Sequence, residues 1–283
     1  MMSAKTVLVP LDGSVRATAA IPVARGFGEL LHAPVALLHV SEEPLTRDAL
    51  VGRMKLSDED VSGLIVEHRL GAAATTIVKE TAERHAGMVV MCPQILRPRA
   101  LGSVAAAVLC AAHCPVVLVP PDRGRKRWAL HRLLVPHDGT PTSASTIGPA
   151  TDLASKAAAE LIVLHVATPD GERPDEHGTL VSPRYLDQPH HEWSAWTQEF
   201  LDRVRAVGGA KAEIELRLAV AKGEAGAAIV DFARQCDLIV LGWRGVLEPD
   251  RALTMRHVIR DTTCPIAVLR LDRGIDGKHR PWS

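Results

Sequence analysis

Two strings recur at a fixed distance along the chain. Thr6-Val-Leu-Val-Pro-Leu-Asp-Gly-Ser14 is matched by Arg132-Leu-Leu-Val-Pro-His-Asp-Gly-Thr140, and Val35-Ala-Leu-Leu-His-Val40 by Leu161-Ile-Val-Leu-His-Val166, each pair 126 residues apart. Farther on, Met88-Val-Val-Met-Cys92 pairs with Leu238-Ile-Val-Leu-Gly242, and Pro115-Val-Val-Leu-Val119 with Pro265-Ile-Ala-Val-Leu269, now 150 residues apart. One module is therefore present twice, and the second copy carries a net insertion of 24 residues in its middle. Two domains are also what a length of 283 residues suggests on its own.

The repeated strings are short runs of Val, Leu and Ile that are apolar at every position. Such runs suit strands buried on both faces of a parallel sheet. Ala-rich stretches long enough for helices lie between them, as at Val15 to Leu31 and Ser143 to Ala159. Strands alternating with helices imply right-handed crossovers and a doubly wound α/β sheet in each copy. The boundaries expected are a first domain over 1–122, a linker over 123–131, a second domain over 132–272 with its insertion near 169–192, and a loose polar tail over 273–283. The linker carries the basic run Arg123, Arg125, Lys126 and Arg127, read as a solvated connector. The last apolar strand of each copy, Val116 to Val119 and Ile266 to Leu269, would be an exposed edge in isolation, so the two domains are expected to pack on each other.

Composition narrows the function. Lys plus Arg and Asp plus Glu are 33 each, so the formal charge is zero, which argues against a dedicated nucleic-acid binder. Aromatics at 3% leave few platforms for stacking single strands. The first residues have no apolar core before a cleavage site, and Val104 to Pro120 is too short and broken to span a membrane. With five cysteines and no secretory context, the cytoplasm is expected. Cys110 and Cys114 have the spacing of a metal pair on a helix, but Cys114-Pro115 recurs as Cys264-Pro265 before the last strand, which reads more simply as a small apolar filler.

Polar residues gather where the strands end, which is where open parallel sheets bind ligands. The first strand of each copy runs into Asp12-Gly13-Ser14 or Asp138-Gly139-Thr140. There a carboxylate can accept from a ribose, or simply cap the helix that follows. In copy one, Gly102-Ser103 opens an Ala-rich helix and offers backbone N–H groups and a hydroxyl to a phosphate. In copy two, Gly242-Trp-Arg-Gly245 would let backbone approach a ligand closely, with Ala252-Leu253 at the equivalent helix start. Neither a Walker P-loop nor Gly-x-Gly-x-x-Gly occurs, so the ordinary ATPase and dinucleotide readings fail. His39 and His165 sit in equivalent apolar strands and read as hydrogen-bonded core histidines. The insertion holds His177, His190, His191 and Glu192, which fit a surface loop better than a zinc site. After it, Trp193, Trp196, Phe200 and Val204 form a helical apolar stripe.

The order and spacing of Val-Pro-Leu-Asp-Gly-Ser, Leu-Leu-His-Val, Gly-Ser-Val-Ala and Cys-Pro-Val-Val-Leu-Val, met nearly throughout and twice over, resemble the universal stress protein family in its tandem form. That resemblance implies a five-stranded parallel sheet flanked by helices in each domain, of the adenine nucleotide alpha hydrolase-like kind, and a pseudo-dimer made through the last strands. It implies regulatory roles in stress without clear catalysis, and ATP or AMP binding in one branch. On it, the candidate ligand residues are Asp12, Gly13, Ser14, Val40, Gly102 and Ser103 in copy one. In copy two they are Asp138, Gly139, Thr140, Gly242, Arg244 and Gly245. The nucleotide-binding branch uses Gly-x-x-Gly, nine residues, then Gly-Ser or Gly-Thr. Copy one has Cys92 and Ile95 in place of the paired glycines, copy two has Ala252-Leu253 in place of Gly-Ser, and six residues separate the halves in both. Each lost hydrogen bond to a charged phosphate costs roughly 1.5–3 kcal/mol, ten- to a hundredfold in affinity; Arg97, Arg99, Arg244 and Arg251 are the cations that could compensate. The leading expectation is a non-enzymatic regulator acting through protein partners, with no certain cofactor. The alternative is an ATP or AMP sensor in which occupancy of one domain changes assembly, homodimer formation included, or partner binding. Neither nucleic acid nor membrane is an expected partner.

Overall fold

The computed structural model describes residues 5–96, 100–121, 127–167, 176–179, 191–211, 213–243, 252–271 and Trp282. In the first half the strands are β1 (Val7–Pro10), β2 (Val35–Ser41), β3 (Ile65–Leu70), β4 (Met88–Met91), a two-residue pair β5 (Ile95–Leu96) and β6 (Ala100–Leu101), and β7 (Val116–Leu118). Its helices are α1 (Ala20–Leu31), entered through a 3-10 turn over Val15–Ala19, then α2 (Arg47–Met54), α3 (Asp58–Val61), α4 (Ala73–Glu83) and α5 (Ser103–Ala111). The second half runs β8 (Arg132–His137), α6 (Pro141–Ala144), α7 (Ile147–Ala157), β9 (Glu160–Ala167), α8 (His191–Gly208), β10 (Leu216–Lys222), α9 (Ala225–Ala233), β11 (Leu238–Trp243), α10 (Leu253–Asp261) and β12 (Ile266–Arg270).

Ten of these strands form one sheet in the order β10-β9-β8-β11-β12-β7-β4-β1-β2-β3. Each half contributes five parallel strands, as the resemblance implies, and the halves meet where β7 pairs antiparallel with β12 through Val117 and Ala267. Successive residues of β1 face opposite sides: Val7 and Val9 join one core while Leu8 joins the other, each at most 1% exposed. That explains why the strands are apolar at every position. One core collects α1, α2, α7 and α8 across both halves, and the other collects α4, α5, α9 and α10. Phe200 and Val204 of the α8 stripe are fully buried, with Trp196 against Phe200 at 5.0 Å; the side chain of Trp193 lies outside the described residues.

Two aromatic residues are buried within the segments expected as linker and tail, while Arg127 of the basic run is exposed. Trp128, expected in a solvated connector, is 7% exposed. Its ring lies 4.8 Å from Phe27 of the first half, and its Nε1 donates to the Asp237 carbonyl of the second at 3.1 Å. Gly26 makes this possible, since a Cβ there would stand 2.6 Å from the Trp128 ring. Trp282, expected in a loose tail, is 5% exposed, stacks on Phe27 at 6.4 Å and donates from Nε1 to the Pro149 carbonyl at 2.8 Å. Isolated aromatics in polar stretches have no periodicity to reveal them, but each buries 150–250 Å² and so finds a core. Among the described residues, no helix is long and apolar enough to cross a membrane.

Candidate ligand site

Each half reverses its strand order beside its first strand: β1 lies between β2 and β4, and β8 between β9 and β11. The crevice beyond the carboxyl ends at that reversal is where α/β sheets bind ligands. A cavity opens there in both halves, and parts of their walls correspond, Asp12 with Asp138, Val40 with Val166, Ala73 with Ala225, Cys92 with Gly242 and Gly102 with Ala252. In the first, Asp12, Val40, Ala73, Cys92, Gln94, Gly102 and Ser103 line a volume of about 200 Å³. In the second, His137, Asp138, Thr140, Thr142, Ser143, Thr146, Val166, Glu176, Ala225, Gly242, Trp243, Thr254, Met255 and Leu271 are among the residues around about 630 Å³. Ligand sites are typically ~300–1,000 Å³, so only the second cavity falls within that range.

The structure thus places Asp12, Val40, Gly102, Ser103, Asp138, Thr140 and Gly242 at the cavities. Gly13, Ser14 and Gly139 shape the turns without lining them. Gly13 and Gly139 adopt φ of +85° and +88°, which a side chain would strain. Ser14 caps the 3-10 turn by accepting from Ala17 N–H at 3.2 Å. Arg244 and Gly245 lie outside the described residues, as do Arg97, Arg99 and Arg251. The phosphate cradle expected at Gly102 is closed in part, because its N–H donates to the Gln94 carbonyl at 2.7 Å. Burial pushes the Cys92 thiol up to about 11, with Arg16 opposing and Asp12 reinforcing, so the residue standing where a glycine is expected is an uncharged filler.

The strand-end carboxylate caps the turn that follows it in both halves. Asp12 Oδ1 accepts from Ser14 N–H at 2.9 Å. Asp138 Oδ1 accepts from Thr140 N–H at 3.0 Å and from the hydroxyls of Thr140 and Ser143 at 2.7 Å each. These are capping bonds, yet they use one oxygen, and Oδ2 of Asp138 has no partner among the described residues. Burial works to raise the Asp138 carboxyl, but the bonds from Thr140 and Ser143 hold it below its ordinary value of 3.8.

His39 and His165 are the core histidines expected, donating from Nδ1 to the carbonyls of Leu11 at 2.7 Å and His137 at 3.0 Å. His137 is a further one, in the place Leu11 holds in the first half. Its Nδ1 accepts from Gly139 N–H at 2.9 Å, and Phe200 packs at 5.3 Å. Burial pushes His137 from 6.5 down to about 4, with Asp138 opposing and His165 assisting. Below pH 6.5 the unfolded chain takes up a proton that the folded chain refuses until about pH 4. Stability is therefore complete above pH 6.5 and falls on acidification through that window, by on the order of 3 kcal/mol from this 3%-exposed group. Urea midpoints between pH 7.5 and 4.5 should show the slope, and His137→Gln should flatten it; an equal slope in both proteins would refute the assignment.

Residues that the sequence reading missed include Thr142, Ser143, Thr146, Glu176, Trp243 and Leu271. Glu176 comes from the insertion and accepts from Thr142 N–H at 3.0 Å and Thr142 Oγ1 at 2.7 Å. At the start of α10, Ala252 has φ +72° where the first half has Gly102 at φ −56°. A left-handed alanine costs ~1–2 kcal/mol, so Ala252→Gly should raise the unfolding free energy by about 1 kcal/mol in denaturant titration; a loss of stability would show that the conformation is not strained. Among the described residues no three His, Cys, Asp or Glu gather as a metal site, and the cysteines form no disulfide.

The profile of the universal stress protein family matches residues 3–120 and 129–270. A universal stress protein from Archaeoglobus fulgidus DSM 4304 superposes with a TM-score of 0.62 at 18% identity, covering 94% of this chain and 98% of that one. A protein of unknown function from Pseudomonas aeruginosa PAO1 gives 0.62 at 18%, covering 95% and 93%. At such identities the likeness speaks for the fold. A half-length universal stress protein from Archaeoglobus fulgidus, solved in complex with dAMP, aligns at 19% identity over 49% of this chain and 96% of its own, with a TM-score of 0.33. No curated protein matches the chain. With both halves matched by one family and joined through their last strands into a single sheet, the chain belongs to the universal stress protein family as a tandem of two domains.

Proposed function

We propose that this protein is a non-enzymatic sensor whose second domain binds an adenine nucleoside or nucleotide and whose first domain serves as its fixed structural partner. The observation that carries the reading is the inequality of the two cavities, about 630 Å³ against about 200 Å³ at equivalent places. Occupancy would act on whichever surfaces α9 and α10 present to protein partners, since both helices wall the larger cavity. Binding rather than catalysis fits the state of the polar groups. Ser143 lies nearer Asp138 Oδ1, at 2.7 Å, than His137 Nδ1, at 3.2 Å. The imidazole is held neutral and already accepts from Gly139, so no base stands ready beside the hydroxyl.

The rival reading, regulation through partner contacts with no ligand, draws on Ala252-Leu253 replacing Gly-Ser and on the Gln94 bond that occupies Gly102. Calorimetry with adenosine, AMP and ATP on the purified chain separates the two. Ala225→Trp, which fills the larger cavity, should abolish binding, while Ala73→Trp at the equivalent place in the first domain should leave it unchanged. The opposite pattern would move the site to the first domain, and no binding by any of the three compounds would favour the rival.

A further inference from the structure

The ten-stranded sheet ends at β3 on one side and at β10 on the other. Among the described residues β3 pairs with β2 alone, in parallel. Gly71 N–H continues that ladder by donating to the Ser41 carbonyl at 3.1 Å. Because a strand alternates its polar groups with a two-residue period, Val66, His68 and Leu70 turn their N–H and C=O groups to the open edge. The Arg69 guanidinium bonds the His68 carbonyl at 2.9 Å, which agrees with that carbonyl facing away from β2. Ile65 and Leu70, at the two ends of the strand, are large apolar residues 43% and 56% exposed.

Read along the strand, Ile-Val-Glu-His-Arg-Leu is complementary to its own reverse. Antiparallel strands set residues of one face opposite each other, so a twofold axis relating two copies must pass through a residue. An axis through His68 sets Glu67 of each copy opposite Arg69 of the other, and Val66 opposite Leu70. An axis through Glu67 or Arg69 sets like charges together. With the axis at His68 the outward-turned residues also fall opposite one another, giving about six backbone hydrogen bonds. Glu67 and Arg69 lie 3.2 Å apart on their own strand, with Arg84 and Glu80 bonded behind them, so four charges alternate in sign around the axis. Burial lowers the His68 imidazole, with His39 and Arg69 assisting, so the two central rings meet uncharged at neutral pH. β10 offers no such match. It carries Arg217 and Lys222 and no acidic residue, so no register of it against itself pairs opposite charges. Basic side chains on an edge are a usual guard against pairing.

We propose that the β3 edge is an interaction surface for a second copy of this chain, joined antiparallel about a twofold axis at His68, so that two ten-stranded sheets continue into one. The contact is small, which makes it reversible and dependent on concentration. Sedimentation equilibrium on the full chain from about 1 to about 500 μM tests this, and the mass should rise from one chain toward two. Glu67→Arg and Arg69→Glu should each weaken self-association about tenfold or more, since each sets like charges opposite across the axis. Mixed in equal amounts the two variants should pair again, because every charge then faces its opposite; a substitution that merely damages the fold would not be rescued in this way. Leu70→Lys, at an exposed site outside that network, should also weaken the dimer, and it decides alone if a charge variant fails to fold. A parent chain that stays single throughout, a mixture of folded variants no better than its parts, or undiminished dimerisation of Leu70→Lys would overturn the proposal. Growth beyond two chains would overturn it as well, since β3 joined to β10 gives an open series rather than a closed pair.

Discussion

Replacing Trp128 by alanine should lower the unfolding free energy by about 3–5 kcal/mol, the range for emptying a large buried aromatic site. The residue stands in the connector but belongs to both domains. Its ring packs on Phe27, its N–H reaches the Asp237 carbonyl, and the Asp237 carboxylate then accepts from the backbone N–H of His131 and Arg132 at 2.9 Å each. Truncation leaves a void beside Phe27 and an acceptor without its donor. Gly26→Ala should act on the same contact from the other side, because the new Cβ would meet the Trp128 ring at 2.6 Å and its carbonyl at 2.7 Å. Chemical denaturation measures both. A loss below ~1 kcal/mol for Trp128→Ala would mean that the connector is an accessory and that the domains hold together through the sheet alone.

A carboxylate placed at the join between the halves is expected to do at least as much damage. Ala267 and Val117 face each other across the antiparallel pair of β12 and β7, and both are fully buried. Ala267→Asp would set an unpaired charge at the centre of the sheet, at a cost of at least ~3 kcal/mol. With the domains joined in one sheet the parent chain should unfold in a single transition, and because the strain falls between the domains the variant's should split in two, or the variant should fail to accumulate in soluble form. Leu253→Asp, at a site 65% exposed, is the control and should stay within ~0.5 kcal/mol. Unchanged, cooperative unfolding of Ala267→Asp would refute the sheet join as the coupling element.

The fold was legible because duplication supplied its own check. A run such as Val35 to Val40 is ambiguous alone, yet its recurrence at the same spacing from Asp-Gly identifies strands on a common plan. Those strands appear as β2 and β9, with Val40 and Val166 at equivalent cavity walls. Their alternation between two cores accounts for the unbroken apolar character. The site was legible at the ends of β1 and β8, where turn chemistry leaves a local signature in Asp12 and Asp138. It was illegible where the wall comes from afar. Glu176 sits in a Pro- and His-rich insertion, 34 residues from the Thr142 it binds, and nothing local marks it. Trp128 and Trp282 are hidden for the same reason, since each is a lone aromatic whose partner is a distant helix. Cavity size was beyond reach altogether, because it depends on the packing of residues brought together from distant elements.

The join of β7 to β12 has a consequence for symmetry. When two identical chains meet about a twofold axis, any substitution appears on both sides and both sites change together. Here the two partners are encoded separately on one thread, so the approximate axis through Val117 and Ala267 relates halves that are free to differ. One half can close its cavity around Cys92 and Gln94 while the other keeps its space. The pairing also holds at any dilution, since neither half can diffuse away from the other. On the function proposed above, such a protein would present one ligand site per assembled pair, and its response to ligand should then follow a simple one-site curve.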